Sequence, residues 1–235
     1  TYIYIYNVNM NETIIIFGIG GLAQILYTKL CQTGHAVSAF VLEKNYIKSR
    51  QFLNLPVVDF ENIEKTYPPC SYKFIIGIGG NMLNKLRTRI YHEFKAKGYQ
   101  PISYIDKSAS LMPDSILGEH CIVFENVVAH SQVKIGNNIY VLPNTYLGHH
   151  TVIEDNCFIA AHVSLAGGVI IKKGCFLGAS SCVANSVTIG ESCVLAMGSY
   201  CTKSSPSDTL IINNEFYDDA EKRFDNYFKK ARKNF

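Results

Sequence analysis

The sequence predicts two folds in series: an α/β domain with a parallel, Rossmann-like sheet over residues 10–106, and a parallel β-helix over 107–205. A tail, 206–235, follows and carries an amphipathic helix. Three observations predict this. Short apolar runs alternate with helical stretches and glycine turns as far as Ile105. Fifteen consecutive six-residue units then run from Ile116 to Ser205 without an insertion. Within them Cys121, Cys157, Cys175 and Cys193 are spaced by six, three and three whole units, so three-unit coils would bring all four to one face of a prism.

The first nine residues, Thr1 to Asn9, read as an upstream extension, because Met10-Asn11-Glu12-Thr13 has the look of a natural start; the alternating Tyr2, Tyr4 and Tyr6 would also suit an edge strand. Ile14-Ile15-Ile16-Phe17 is a buried strand, followed by the turn Gly18-Ile19-Gly20-Gly21-Leu22-Ala23 and a helix to about Gln32, closed near Gly34. Ala36 to Leu42 is a second strand and Val57 to Phe60 a short third element. Lys73 to Ile78 is another buried strand, ending in Gly79-Gly80-Asn81; Asn81 to Lys97 is a helix that stops at Gly98, and Ile102 to Ile105 returns as a strand. Strands alternating with helices imply a parallel sheet with right-handed crossovers.

In the repeats the second position of each unit is aliphatic, from Leu117 and Val123 to Leu195, with Cys201 a weaker last member. Gly118, Gly136, Gly148, Gly178 and Gly190 follow it, where a tight corner favours a residue without a Cβ. A short strand, a turn and a strict hexapeptide period are the signature of a parallel β-helix. Positions three units apart then lie above one another at the strand spacing of about 4.8 Å. The four aligned cysteines read as small inward hydrophobes.

The tail places Tyr217, Ala220, Phe224, Tyr227, Phe228 and Ala231 on one helical face over Phe216 to Lys233. That helix is expected to cover the open end of the prism or to pack on a neighbouring subunit. The Lys229-Lys230, Arg232 and Lys233 cluster suits a helix C-terminus.

Composition excludes several classes. A net charge of +3, without a basic stripe interleaved with aromatics, gives no ground for nucleic acid. No apolar run approaches the ~18 residues of a membrane span. There is no CxxC or Cys/His zinc spacing and no secretory apolar region at the N-terminus, so reduced thiols, a cytoplasmic location and no metal are expected. A zinc enzyme of the γ-carbonic-anhydrase type would need two histidines five residues apart, a spacing this sequence lacks. A purely structural prism would leave the glycine turns unexplained.

Ligands on such sheets bind beyond the carboxyl ends of the strands. A glycine corner leading into a helix lets backbone approach a pyrophosphate, and the helix N-terminus supplies N–H groups and positive dipole. Gly18, Gly20, Gly21 and Leu22 are candidates for that role, with Glu43 near the end of the second strand as the residue that would hold a ribose. The second turn, with Gly79, Gly80 and Asn81, would lie beside the first, and two facing glycine turns suit a nucleotide diphosphate.

The order of domains and several motifs resemble one family over roughly Glu12 to Ser205: the bacterial sugar acyltransferases related to the sialic-acid O-acetyltransferases and the bacillosamine-pathway N-acetyltransferase. The motifs are Phe17-Gly-Ile-Gly-Gly-Leu-Ala23, Asn84-Lys-Leu-Arg87, Lys97-Gly-Tyr99 with Ile102-Ser-Tyr104, Leu147-Gly-His-His-Thr-Val-Ile153, Cys157-Phe-Ile-Ala-Ala-His-Val163 and Gly174-Cys-Phe-Leu-Gly178. The resemblance implies a left-handed prism and a homotrimer. It also implies acyl-CoA, acetyl-CoA by expectation, in the groove between neighbouring prisms, and a nucleotide-linked sugar on the α/β domain. The implied reaction is N-acetylation of a nucleotide-linked amino-deoxysugar, with sugar O-acetylation as the alternative.

By that resemblance His149 matches the histidine general base and Gly167 the backbone N–H that stabilises the oxyanion. The two are one full coil apart, so the repeat stacks them at one corner. The family commonly has an acidic residue after the base; here it is His150, so either imidazole is a candidate, with His149 preferred. Glu154 and Asp155 are candidate orienting carboxylates or solvated turn residues. A further histidine of the bacillosamine enzyme matches Phe158, so His162 inherits no role; it could contact a ligand at the groove. His130 and His120 carry no comparable support. Asn144 is a candidate for hydrogen-bonding the sugar, and Ala166, Gly167, Ala184, Met197 and Lys203, with His162, for lining the acyl-CoA groove.

Overall fold

The computed structural model describes residues 13–224, which form two compact units. Residues 1–12 and 225–235 lie outside the described residues, and with them the expected upstream extension and the expected helical positions Tyr227, Phe228, Ala231 and the basic cluster. The first unit is a six-stranded sheet ordered β3-β4-β2-β1-β5-β6, from β1 (Thr13–Phe17), β2 (Ala36–Leu42), β3 (Gln51–Phe52), β4 (Leu55–Asp59), β5 (Tyr72–Ile76) and β6 (Gln100–Pro101). All neighbours are parallel except the β3–β4 hairpin. Helix α1 (Gly21–Gln32) buries Ala23, Leu26 and Leu30, three positions on one helical face. It ends where Gly34 turns left-handed at φ 84°, donating its N–H to Cys31. Helix α2 (Lys85–Ala96) buries Ile90, Tyr91 and Phe94, and Phe94 stacks on Phe74 at 4.4 Å.

Three boundaries differ from expectation. Helix α2 begins at Lys85 rather than Asn81, because Met82, Leu83 and Asn84 take left-handed φ values of 52°, 47° and 65°, a run no α-helix accommodates. The expected third strand is the second arm of a hairpin, turned by Leu53 and Asn54 at positive φ. The expected strand 102–105 is divided: Gln100–Pro101 completes the first sheet, whereas Tyr104–Ile105 pairs with Ile122–Val123 and opens the prism.

The second unit is a left-handed parallel β-helix. Two-residue strands recur at every hexapeptide from Tyr104–Ile105 to Tyr200–Cys201 and sort into three sheets, each pairing a strand with its counterpart one coil on. The second strand position points inward, and Leu147, Leu165, Ile171, Leu177 and Leu195 are fully buried. The four aligned cysteines join this core at zero exposure. Cys175 and Cys193 point at backbone carbonyls of Gly190 and Pro206, and burial pushes the Cys121 thiol up to about 12. All eight cysteines are free thiols, and only Cys31, Cys70 and Cys182 are exposed. A thiol-titrating reagent should therefore label three groups rapidly in the native protein and eight after denaturation; fast labelling of more than three would mean that the coils open readily.

The corner chemistry differs from the expected one. Left-handed φ falls two residues after the repeat glycines, on three edges: Gln132, His150, Gly168 and Ser186; Asn126, Asn144, His162, Ser180 and Gly198; and His120, Asn138, Asn156, Gly174 and Ser192. Asparagine and glycine tolerate that region best. The repeat glycines are needed for close approach instead. A Cβ on Gly148 would sit 2.6 Å from the carbonyl carbon of Ala166 and 2.7 Å from the nitrogen of Gly167.

One outer face of the prism is covered by its own unit. Tyr140, Phe158 and Phe176 stack at 6.0 and 5.2 Å along it. Segment 80–86 lies over this stack: Gly80 leaves room for Phe176, Leu83 joins a cluster with Val194, Ala220 and Phe224, and Asn84 Nδ2 donates to the carbonyls of Gly174 and Cys175. The tail departs from the expected single helix. Thr209–Ile212 extends the sheet beside Val194–Leu195 and turns into the antiparallel strand Glu215–Asp218, so Phe216 and Tyr217 are in a hairpin, and helical structure begins only at 220. The hairpin supplies Ile211 and Phe216 to the end of the core, and Phe224 packs on Phe176 at 4.8 Å. Among the described residues, no helix is long and apolar enough to cross a membrane.

Candidate active site

In the first unit β1 lies between β2 and β5, so the chain leaves neighbouring strands β1 and β5 at one edge, where doubly wound sheets bind ligands. Both exits are glycine turns. Gly18, at φ 109°, donates its N–H to the Val41 carbonyl, and Gly77 donates to Phe17. A Cβ on Gly18 would crowd the Gly77 carbonyl at 3.1 Å, and one on Gly77 would overlap Ala23 at the start of α1. These two glycines let the turns touch and the helix seat against the sheet. Gly20 and Gly21 differ: no atom lies within 4 Å of a Cβ built on either, and Gly20 caps α1 without a side-chain acceptor. Leu22 follows, half-buried. Glu43 does stand just beyond β2, but its carboxylate pairs with Arg89 of α2 at 3.0 Å. Of the second glycine turn, Gly79 belongs to this unit, whereas Gly80 and the exposed Asn81 belong to the prism unit.

On the prism the edge carrying His150 brings three histidines together, His130, His149 and His150. His149 lies directly beneath Gly167, whose Cβ, if it had one, would overlap Cε1 and Nε2 of the imidazole. The backbone joins the two coils, Gly168 N–H donating to the His149 carbonyl at 2.8 Å. His149 Nδ1 and His150 Nδ1 are 3.0 Å apart, and the two rings meet edge to face. Both rings are exposed.

The Gly167 N–H is uncommitted among the described residues. At the equivalent corner position on the edge of Asn138 and Asn156, the N–H groups of Glu119, Asn137, Lys173 and Glu191 are each taken by a side chain, at 2.9, 2.7, 3.2 and 3.1 Å. The cappers are Asn137, Asp155, Glu154 and Ser207. Glu154 also pairs with Lys172, so neither it nor Asp155 reaches His149. A base-capable imidazole beside a free backbone donor can take a proton from an attacking nucleophile while a neighbouring N–H meets developing negative charge.

The remaining candidates fall on two edges. Ala166, Ala184 and Lys203 continue the His149 edge over three coils above it, about 14 Å at the strand spacing. The Lys203 ammonium rests over the Phe216 ring at 5.0 Å. Asn144, His162 and the exposed Met197 stand on a different edge. There Asn126, Asn144 and His162 form a ladder, with contacts of 3.1 and 3.5 Å. His120 is buried and bonded to Asn138, a structural role.

Sequence reasoning passed over His130, whose ring centre is 6.4 Å from that of His149. The pair is one position off a full coil, so arithmetic in whole coils misses the diagonal neighbour. Ser131, one coil below His149, binds Asp114 at 2.5 Å, and that hydroxyl is the main reason the Asp114 carboxyl is held below the usual carboxylate range. Among the described residues, no group of three or more His, Cys, Asp or Glu side chains is placed to hold a metal ion.

The sequence model of the bacterial transferase hexapeptide (six repeats) matches residues 132–167, and that of the hexapeptide repeat of succinyl-transferase matches 168–203. A search of curated protein sequences gives no match. Among solved structures, the chain is similar to a mutant of perosamine N-acetyltransferase from Caulobacter crescentus in complex with CoA and GDP-perosamine. The identity is 23%, over 88% of this chain and 96% of that one, with a TM-score of 0.79. It is similar to the acetyltransferase domain of PglB from Neisseria gonorrhoeae in complex with acetyl coenzyme A, at 16% identity over 88% and 99% of the two chains, TM-score 0.79. WeeI from Acinetobacter baumannii is 17% identical over 88% and 99%, TM-score 0.78. At these identities the likeness establishes the fold.

Proposed function

We propose that this chain is an acyl-CoA-dependent N-acyltransferase, with acetyl-CoA as donor and a nucleotide-linked amino-deoxysugar as acceptor, serving surface-glycan biosynthesis. The observation that carries the reading is the His149 imidazole lying against Gly167, whose N–H is uncommitted, on the edge of a hexapeptide prism. Neighbours of the same fold hold CoA with GDP-perosamine, or acetyl coenzyme A, which supports the substrate classes.

The amine nitrogen attacks the thioester carbonyl carbon, and the carbonyl π pair moves onto oxygen. His149 Nε2 accepts the proton that nitrogen sheds, and Gly167 N–H donates to the oxyanion. Collapse of the tetrahedral species breaks the carbon–sulfur bond, and the imidazolium returns its proton to the departing thiolate. Backbone N–H groups at Gly20, Gly21, Leu22 and Gly79 take the nucleotide diphosphate, with α1 directing positive dipole at it, while Gly18, its own N–H held by Val41, shapes the turn. Glu43, in exchange for Arg89, takes the ribose. Ala166, Ala184 and Lys203 line the donor's path on the His149 edge. His162 and Met197 complete it from a second copy, since one chain carries them on a different edge, and a homotrimer of prisms would pair the two edges at each of its three seams. Eight free thiols accord with work in the reducing cytoplasm.

CoA release from acetyl-CoA against GDP-, UDP- and dTDP-linked amino sugars, with their hydroxyl counterparts alongside, tests the reading. Turnover on an amino sugar at least about tenfold above its hydroxyl counterpart is expected. Preference for the hydroxyl compounds would make the enzyme an O-acyltransferase, and binding of acetyl-CoA without turnover of any acceptor would overturn the proposal.

A further inference from the structure

The contact between the two imidazoles dictates more than proximity. Two Nδ1 atoms 3.0 Å apart form a stable contact only if one carries a hydrogen and the other a lone pair. In one arrangement His149 Nδ1–H donates to His150 Nδ1; His149 Nε2, the nitrogen against Gly167, then carries the lone pair, and His150 keeps its hydrogen on Nε2. In the reverse arrangement His149 Nε2 carries a hydrogen and can accept nothing. Only the first makes His149 the base; the reverse leaves the free lone pair on His150 Nε2 instead.

The geometry points to His150 as a neutral positioning residue that fixes the hydrogen of His149 on Nδ1, a role resting on His149 being the base. The backbone holds His150 in place: it occupies the left-handed corner at φ 61°, and its N–H donates to Ser131 at 2.9 Å. The charged and titratable surroundings leave the role to it. From below come His130, 6.4 Å from His149 between ring centres, and Asp114, which is bonded to Ser131. From above come Gly167 and Gly168, without side chains. On the adjacent corner Glu154 and Asp155 are engaged with Lys172 and Asn137. Among the described residues, no carboxylate hydrogen-bonds to either ring.

A neutral orienter behaves differently from a carboxylate. It fixes the tautomer but adds no negative charge to favour the imidazolium. A proton on His150 Nδ1 removes the acceptor that His149 needs, so a single proton taken by the pair stops the reaction. A carboxylate at position 150 would add a negative charge beside the imidazolium, so it should move the acid limb of kcat/KM to higher pH than in wild type.

The test is the pH profile of kcat and KM for full-length wild type, His150→Gly, His150→Gln, His150→Lys and His150→Glu, with acetyl-CoA and GDP-perosamine. Glycine relieves any backbone strain at φ 61°, so a merely structural residue would lose nothing by it. The positioning role predicts that His150→Gly and His150→Lys lower kcat about 10–100-fold with KM for acetyl-CoA little changed. His150→Gln, whose Oε1 can accept from Nδ1–H, should restore most of the rate without moving the limb. His150→Glu should restore the rate and move the limb upward. Wild-type kcat in His150→Gly, or equal rates for the Gln and Lys variants, would overturn the inference. Should wild type turn over no acceptor, the function proposal fails, yet the pair is still tested by histidine 15N shifts at pH 8. The inference requires His149 as the Nδ1–H tautomer and His150 as Nε2–H, and the reverse assignment refutes it.

Discussion

His149→Ala is expected to lower kcat for acyl transfer by about 10²–10⁴-fold, the usual contribution of a positioned general base, while leaving the melting temperature near that of wild type. The two halves of that expectation have separate grounds. The ring is exposed on the outside of a coil, its partners are His150 and His130 at the surface, and the core beneath is filled by Leu147 and Leu165. Removing such a side chain costs within about 0.5 kcal/mol. The Gly167 N–H survives in the variant, so some rate enhancement should persist, and the acid limb imposed by an imidazole base should vanish from the profile. Steady-state kinetics with acetyl-CoA and an amino-sugar nucleotide, paired with a thermal melt, measures both. Retention of more than a tenth of the wild-type kcat would shift the base to His150 or to the acceptor's own amine.

How much of this was legible in the sequence depends on the physical range of each interaction. The prism was legible because its period is strict: pairing between successive coils follows from the inward aliphatic position, and Leu147 under Leu165 repeats at every coil. The juxtaposition of His149 with Gly167 follows from the same arithmetic. What the period could not show are contacts that run diagonally or come from outside it. His130 beside His149 is a diagonal pair, and the engagement of Glu154 with Lys172 diverts a carboxylate that sequence order alone left available. Residues 81–84 were misread as the start of the helix because Met82 and Leu83 suit one, whereas Leu83 and Asn84 turn left-handed to reach Phe224 and the carbonyls of Gly174 and Cys175. Tertiary contacts outweigh local propensity there. The tail failed similarly: alternation at 215–218 lies in a hairpin that adds to the last sheet, and that preference exists only once a sheet edge is present.

Gly167→Ala should be nearly as damaging to catalysis as losing the histidine, by a different route. Gly167 does not take a left-handed φ, so alanine fits the backbone, and the obstruction is the His149 ring itself. That ring is the free end of an exposed side chain and can swing outward, so the expected loss of stability is about 1 kcal/mol or less. Swinging moves Nε2 away from the donor that must act with it, and a displacement near 1 Å costs about 10²-fold in rate. Gly148→Ala is the matched contrast. Its Cβ would meet the Ala166–Gly167 peptide, which cannot swing, so overpacking of about 1–3 kcal/mol should appear as a lower melting temperature. The double variant His149→Ala, Gly167→Ala separates the two functions of the glycine. With the ring gone, the added methyl has nothing to displace. The second substitution should then cost only what it removes from the backbone donor, and strongly sub-additive losses are expected. Fully additive losses would mean that the methyl acts on the oxyanion site rather than on the imidazole.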